Sequence, residues 1–182
     1  MSNDVSSLRL QDAWRECERN IYHLCGALTS LGSILPMTGE RLEHLTDAQV
    51  QALDQFILRF TKLQDAMGGR LFPAILQYLR EQYEERPMLD KLNRLEKLGY
   101  IQSAEAWQNI RNTRNKFAHD YPDDWEKNAA LINVACEAAA DMYNILAGIE
   151  KKLKIDLPLL ELGKALTVAY PKNRPVANKI DD

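Results

Sequence analysis

Apolar residues recur at three- and four-residue steps through most of this chain, a spacing that predicts helices rather than strands. The first predicted helix covers residues 5–31 and stops before Gly32 and Pro36. A polar linker, 37–45, is predicted to follow it. The buried face of this helix is predicted from the apolar positions Leu10, Trp14, Cys17, Ile21, Leu24, Leu28 and Leu31.

A second helix is predicted from Thr46, because Gln49 stands three residues later in the spacing of a capping box. The pair Gly68-Gly69 then predicts a break or a sharp kink. A third helix is predicted over 71–85, with Pro73 in its first turn, where the missing N–H costs little.

Capping residues mark the remaining predicted helices. Pro87 begins a fourth helix and Gly99 is predicted to end it. Ser103 is predicted to cap the next helix. Asp123 is predicted as the N-cap of a last long helix, with Glu126 at the capping-box position. The apolar face of this last helix is predicted from Leu131, Val134, Ala138, Met142, Ile145 and Ile149.

The helical pattern weakens beyond residue 155, where Pro158, Pro171 and Pro175 interrupt the chain. One short helix, 159–169, is predicted there, and the last dozen residues are predicted to be irregular. We therefore predict an all-α protein, an antiparallel helical bundle, with one domain over 1–155 and a partly irregular C-terminal tail over 156–182. The composition agrees, because 182 residues that are 46% hydrophobic and 27% charged can bury a core of their own.

The net charge of −3 argues against sequence-blind binding of nucleic acid through a broad basic face. Any contact with RNA must then come from a local patch. Arg111, Arg114 and Lys116 form such a patch, although Asp123 and Asp124 follow closely.

The cysteines Cys17, Cys25 and Cys136 include no C-x-x-C pair, so we expect buried free thiols rather than disulfides or a structural zinc site. No apolar run reaches the roughly 18 residues of a membrane span, and the N-terminal residues lack the pattern of a secretion signal. We therefore expect a cytoplasmic protein without a membrane span. No metal site and no cofactor are predicted.

The segment RNKFAHDY, from Arg114 to Tyr121, holds the chemistry that stands out along this sequence. Metal-independent cleavage of RNA by the 2′-hydroxyl needs a fixed positive charge and a group that titrates near neutral pH. Arg114 supplies the first and His119 the second. We interpret the two as catalytic residues, although Arg and His near a helix end can also cap carbonyls or lie in solvent.

The spacing R-N-x-x-x-H, at Arg114, Asn115 and His119, resembles the signature of the HEPN superfamily, small helical domains that include many RNases. The longer form R-x4-H-x-Y, completed by Tyr121, resembles the HepT toxin branch. This resemblance implies a HEPN-like bundle, here with extra N-terminal and C-terminal segments. It also implies a homodimeric RNase toxin that a partner nucleotidyltransferase antitoxin silences, and it implies that Tyr121 is the residue that the antitoxin adenylylates.

Arg114 and His119 are five positions apart, which is about 140° around an ideal helix at about 100° per residue. The two side chains would not face one phosphate if the helix ran straight. Either the helix loosens near Ala118, ahead of Pro122, or Arg and His from two copies converge at a two-fold axis. The HEPN resemblance implies the second arrangement.

Neighbouring polar residues are the candidates for substrate binding. Arg111 could add a phosphate contact or form a surface ion pair. Asn115 could orient His119, bind phosphate or cap the helix end. Lys116 belongs to the same basic segment, and Asp120 could fix the tautomer of His119 or lie in solvent.

Two other functions stay open beside the RNase. One is a non-catalytic binding or scaffold subunit that partners a nucleotidyltransferase, and the other is a plain helical adaptor in which the motif is coincidental. The intact set of Arg114, His119 and Tyr121 favours the enzyme, because a scaffold has no chemical need for it.

Overall fold

Helices account for the regular secondary structure of the computed structural model, which describes residues 2–117, 124–163 and 165–172, with only the backbone for residues 2–4. The prediction of an all-α fold is confirmed. In chain order the elements are α1 (Ser2–Leu31), α2 (Gly39–Glu43), α3 (Asp47–Ala66), a π-helical turn (Met67–Leu71), α4 (Phe72–Tyr78), α5 (Met88–Lys97), α6 (Ala104–Lys116) and α7 (Trp125–Asp156).

The first helix pairs with the rod formed by α3, the π-helical turn and α4. Polar contacts between the two show that they run antiparallel: Arg59 donates to Asn20, and Arg9 donates to Gln77. All seven positions of the predicted apolar face of α1 are buried, so that prediction is confirmed. They form one core together with the large side chains Phe56, Phe60, Phe72 and Trp107.

Of the two predicted alternatives at Gly68-Gly69, the helix break does not occur. Both glycines lie in the π-helical turn Met67–Leu71, and the helical conformation continues from α3 into α4. Gly68 is buried because the ring of Trp107 on α6 lies over it. A Cβ atom at Gly68 would stand 3.2 Å from Trp107 Cζ2. The glycine therefore permits a close helix contact instead of interrupting the helix.

The helix that follows, α4, ends at Tyr78 rather than at the predicted residue 85. Arg80 then adopts a left-handed conformation with a φ of 60°. The loop is tied to α5 by a two-pronged ion pair, in which Arg94 donates to the Glu81 carboxylate at 2.9 and 2.7 Å. Pro73 lies in the first turn of α4, as predicted.

Three predicted caps are confirmed. Thr46 and Gln49 form both hydrogen bonds of a capping box at α3, and the Ser103 hydroxyl caps α6. Gly99 ends α5 with a φ of 76°, a value that glycine adopts at little cost. Its N–H donates to Glu96 O, the bond pattern of a Schellman motif.

The N-cap of the last helix differs from the prediction. Asp124, rather than Asp123, accepts a hydrogen bond from Lys127 N, and α7 begins at Trp125. Asp123 lies outside the described residues. The apolar face of α7 was also partly misplaced, since Val134 is 45% exposed. The face that packs inward includes Ile132, Ala135, Ala139, Met142, Leu146, Ile149 and Leu153.

The linker between α1 and α3 contains the short helix α2 and is fixed to α7 by a side-chain amide. Asn133 Oδ1 accepts from Met37 N at 2.7 Å, and Asn133 Nδ2 donates to Met37 O at 2.8 Å. The amide thus satisfies both main-chain groups of a buried residue.

The helix predicted over 159–169 is absent from the described residues of that range, so this prediction was also wrong. The chain after α7 instead runs in an extended form along the bundle. Leu162 is buried, and the apolar residues that pack beside it are Leu160, Leu166, Val168 and Tyr170.

Within the described residues, no helix is both long enough and apolar enough to cross a membrane. Cys17, Cys25 and Cys136 are free and buried, as predicted.

Candidate active site

Two acceptors fix the start of α6, the helix that carries Arg114. The Ser103 hydroxyl accepts from Ala106 N at 3.1 Å, and the Glu96 carboxylate of α5 accepts from Ala104 N at 2.7 Å. Two N–H groups of the first turn, which have no partner within the helix, are thereby satisfied. The start of α6 is thus anchored to α5.

Aromatic contacts hold both ends of α6 against the rod of α3 and α4. Near its start, Trp107 meets Phe72 edge-on, with ring centroids 4.6 Å apart. At its end, Phe117 meets Phe60 in the same manner at 5.8 Å. Because Phe117 stands two residues before His119, this contact fixes the backbone from which the motif continues.

Arg114 lies in the last turn of α6, at the border of the buried surface. Its side chain is 31% exposed, and Nη2 donates to Asp65 Oδ2 on α3 at 2.9 Å. Neighbours on its own helix, Ile110 and Thr113, are buried. The guanidinium is therefore held in place on one side and partly exposed on the other.

The Nε atom of Arg114 is buried, and within the described residues it has no hydrogen-bond partner. A buried donor without an acceptor costs about 1–3 kcal/mol, and more when the group is charged. An acceptor from outside the described part of the chain would remove that cost. The Asp65–Arg114 pair itself is partly exposed, so it contributes at most about 1 kcal/mol to stability.

Arg111, Asn115 and Lys116 are all exposed on α6. Arg111 and Asn115 are one turn apart, on the side of the helix next to Arg114. Lys116 lies about 160° from Arg114 around the same helix. The helix thus brings Arg111 and Asn115 to the neighbourhood of the guanidinium and directs Lys116 away from it.

The other motif residues, His119, Asp120 and Tyr121, lie outside the described residues. The role of His119 as a catalytic residue and that of Tyr121 as a modification site thus stay predictions from the sequence.

No family model, curated protein or solved structure matches this chain. The resemblance to HEPN domains therefore depends on the motif and on the helices around it.

Asp65 is the site residue that the sequence did not reveal. It is 49 positions from Arg114 along the chain, and an exposed carboxylate on a helix carries no local signal of its partner. The periodicity of α3 does place Asp65 outside the apolar face, but only the antiparallel packing of α3 and α6 shows which residue it meets.

Proposed function

We propose that this chain is a metal-independent endoribonuclease of the HEPN type, the toxin of a module whose antitoxin is a nucleotidyltransferase. The observation that carries the proposal is the placement of Arg114. Its guanidinium is oriented by Asp65, stays partly exposed, and stands at the helix end five residues before His119. A preorganised cation at that position suits a phosphate whose charge increases during the reaction.

In the proposed reaction, two copies of the chain bind RNA across a two-fold axis. His119 of one copy takes the proton from the 2′-hydroxyl, and the 2′-oxygen forms a bond to the adjacent phosphorus. The bond from phosphorus to the 5′-oxygen breaks, and His119 of the partner subunit gives a proton to that oxygen. Arg114 stabilises the charge on the phosphorane. The products are a 2′,3′-cyclic phosphate and a 5′-hydroxyl end.

The proposed antitoxin acts on Tyr121. Transfer of AMP to the tyrosine hydroxyl would place a phosphate two residues after His119 and near Arg114 in sequence. The added anion would occupy the basic surface that Arg111 and Arg114 provide, so RNA would be excluded both by volume and by charge.

A second candidate function, a non-catalytic subunit that partners a nucleotidyltransferase, is favoured by one observation. Arg114 is already paired with a carboxylate, and an arginine that merely ties α6 to α3 would show the same contact. This candidate predicts no RNA cleavage.

Replacement of His119 separates the two functions. We expect His119→Ala to lower RNA cleavage by at least about 100-fold, since a positioned acid–base group contributes roughly 10²–10⁴-fold. The measurement is cleavage of a labelled RNA by purified protein, with analysis of the product ends, together with growth arrest on expression. The matched control is His44→Ala, because His44 is exposed on the linker after α2. Cleavage by His119→Ala at the wild-type rate would rule out the proposed mechanism.

A further inference from the structure

Residues 160–163 and 165–170 form an extended segment, here called the strap, that lies between α1 and α7. Exposure alternates strictly over these described residues. The odd-numbered ones are exposed, and the even-numbered ones are apolar and pack against the bundle: Leu160, Leu162, Leu166, Val168 and Tyr170. Alternation with a period of two is what an extended chain produces on a flat surface.

The strap lies in a groove whose walls are α1 and α7, and side chains of both helices bind the main chain of the strap. On α7, Tyr143 Oη donates to Val168 O at 2.9 Å, and Glu150 Oε1 accepts from Leu166 N at 3.3 Å. On α1, Gln11 Nε2 donates to Glu161 O at 2.7 Å. Contacts to main-chain atoms fix an extended backbone whatever its side chains are, while the apolar surface between them selects side chains at alternate positions.

A row along α7 aligns the strap. Cys136, Tyr143 and Glu150 are seven residues apart, so they lie on one face of the helix. They contact strap residues in reverse order, because Tyr170 Oη donates to Cys136 O at 3.0 Å at the far end. The strap therefore runs antiparallel to α7, in one register, as a bound peptide does.

The strap is a separate layer on the helices that it covers. The main-chain hydrogen bonds of α1 lie within α1, and those of α7 lie within α7, so departure of the strap breaks none of them. The connection to α7 passes through Leu159, which is 95% exposed. Among the described strap residues, only Leu162 is fully buried, and the large apolar side chains of Leu160, Leu166, Val168 and Tyr170 are half-buried.

We propose that this groove is a peptide-recognition site, which the chain's own strap occupies and from which a partner peptide can displace it. The ligand that fits is an extended peptide with large apolar side chains at every second residue. The proposal does not depend on the RNase function, because neither Arg114 nor its surroundings contribute to the groove.

A labelled peptide with the sequence of residues 160–172 tests the site when it is titrated onto the full chain and followed by fluorescence anisotropy. A tethered strap has an effective concentration of the order of millimolar, so the wild-type chain should bind the peptide weakly. Leu166→Asp places a charge on the buried side of the strap and vacates the groove. We expect it to tighten peptide binding by about tenfold or more.

Thr167→Asp is the matched control, because it adds the same charge at the next residue, on the exposed side. It should bind the peptide as weakly as the wild type. Adding Tyr143→Phe to Leu166→Asp should weaken binding again, since the donor to the peptide main chain is lost. A peptide shifted by one residue in its apolar pattern should not bind.

If Leu166→Asp does not fold, Tyr170→Ala is a milder substitution that should also free the groove. We expect it to raise the affinity for the peptide about threefold. Equal peptide affinity in the opened variant and in Thr167→Asp would overturn the proposal. Equal affinity for the two registers of peptide would overturn it too, because it would indicate unspecific apolar adhesion.

Discussion

Asp65 affects Arg114 in two ways that single substitutions can separate. Its carboxylate accepts a hydrogen bond that orients the guanidinium, and its negative charge opposes the approach of a phosphate. The amide of asparagine can still accept that hydrogen bond but carries no charge. Alanine removes both effects.

We expect Asp65→Asn to lower the KM for RNA about two- to fivefold with little change in kcat, since a partly exposed charge is worth up to about 1 kcal/mol. Asp65→Ala should lower kcat as well as KM, because Arg114 then also loses the contact that positions it. Steady-state cleavage of a short RNA measures both constants.

Asp54→Asn provides the control for net charge. Asp54 is exposed and lies on the same side of α3, three turns before Asp65. It should leave both constants unchanged. If Asp65→Ala and Asp65→Asn alter KM and kcat alike, Asp65 has no positioning role.

Among the elements, the π-helical turn determines how closely α6 approaches the rod of α3 and α4. Wider turns of this kind recur at functional sites in other helices. Here the turn presents Gly68 to the ring of Trp107, which also contacts the ring of Phe72 edge-on. The packing at this point sets the position of α6, and with it the position of Arg114 opposite Asp65.

Gly68→Ala and Gly69→Ala should therefore change the free energy of unfolding in opposite directions. A Cβ at Gly69 meets nothing within 4 Å, so this substitution should raise the free energy of unfolding by about 0.5–1 kcal/mol through helix propensity. Gly68→Ala should lower it by about 1–2 kcal/mol, because Trp107 is buried against Phe72 and must shift to admit the added methyl group. Urea unfolding followed by circular dichroism compares the two, and equal stabilities would show that the contact with Trp107 is loose.

Local signals predicted the helices well, whereas contacts between distant residues escaped prediction. The caps at Thr46, Ser103 and Gly99 depend on residues within four positions of each other, and all three are confirmed. The pair Gly68-Gly69 carries the same local signal as a helix break. Only the ring of Trp107, far along the chain, explains why the helix continues.

For the strap, the local signal was correct but the prediction of a helix did not follow it. Leu160, Leu162, Leu166, Val168 and Tyr170 alternate with small or polar residues, which is the period of an extended chain rather than of a helix. The signal was present in the sequence, but a lone extended segment has no neighbouring strand to pair with, and its partner is a groove between helices. In the candidate site, the motif singled out Arg114, whereas no local signal indicated its partner Asp65.

At the scale of the whole molecule, the buried cysteines link stability to pH. Burial raises the pKa of Cys25 to about 11 and, with a smaller contribution from the charge of Glu137, that of Cys136 to about 12. The pKa of an unfolded thiol is about 8.5. Because the folded pKa lies above the unfolded value, each of these thiols contributes to the free energy of unfolding. This contribution is fully present below about pH 8.5 and is lost as the pH rises towards the folded pKa.

We expect the free energy of unfolding of the wild type to fall by about 2 kcal/mol per such thiol between pH 8 and pH 10. Cys136→Ala should show a correspondingly smaller fall over the same interval, whatever its stability at pH 7. Urea titrations at each pH measure this. Burial also raises the pKa of Tyr100, whose hydroxyl donates to Asp156, so the series should end at pH 10. Identical pH profiles for the variant and the wild type would contradict this account.

The contact between Asn133 and Met37 also has a consequence for the order in which the chain folds. It joins residues 96 positions apart, whereas the contact of α1 with α3 between Asn20 and Arg59 joins residues 39 positions apart. Closing a longer loop costs more entropy before any contact repays it. We therefore expect the pairing of α1 with α3 to form before the amide of Asn133 meets the main chain of Met37.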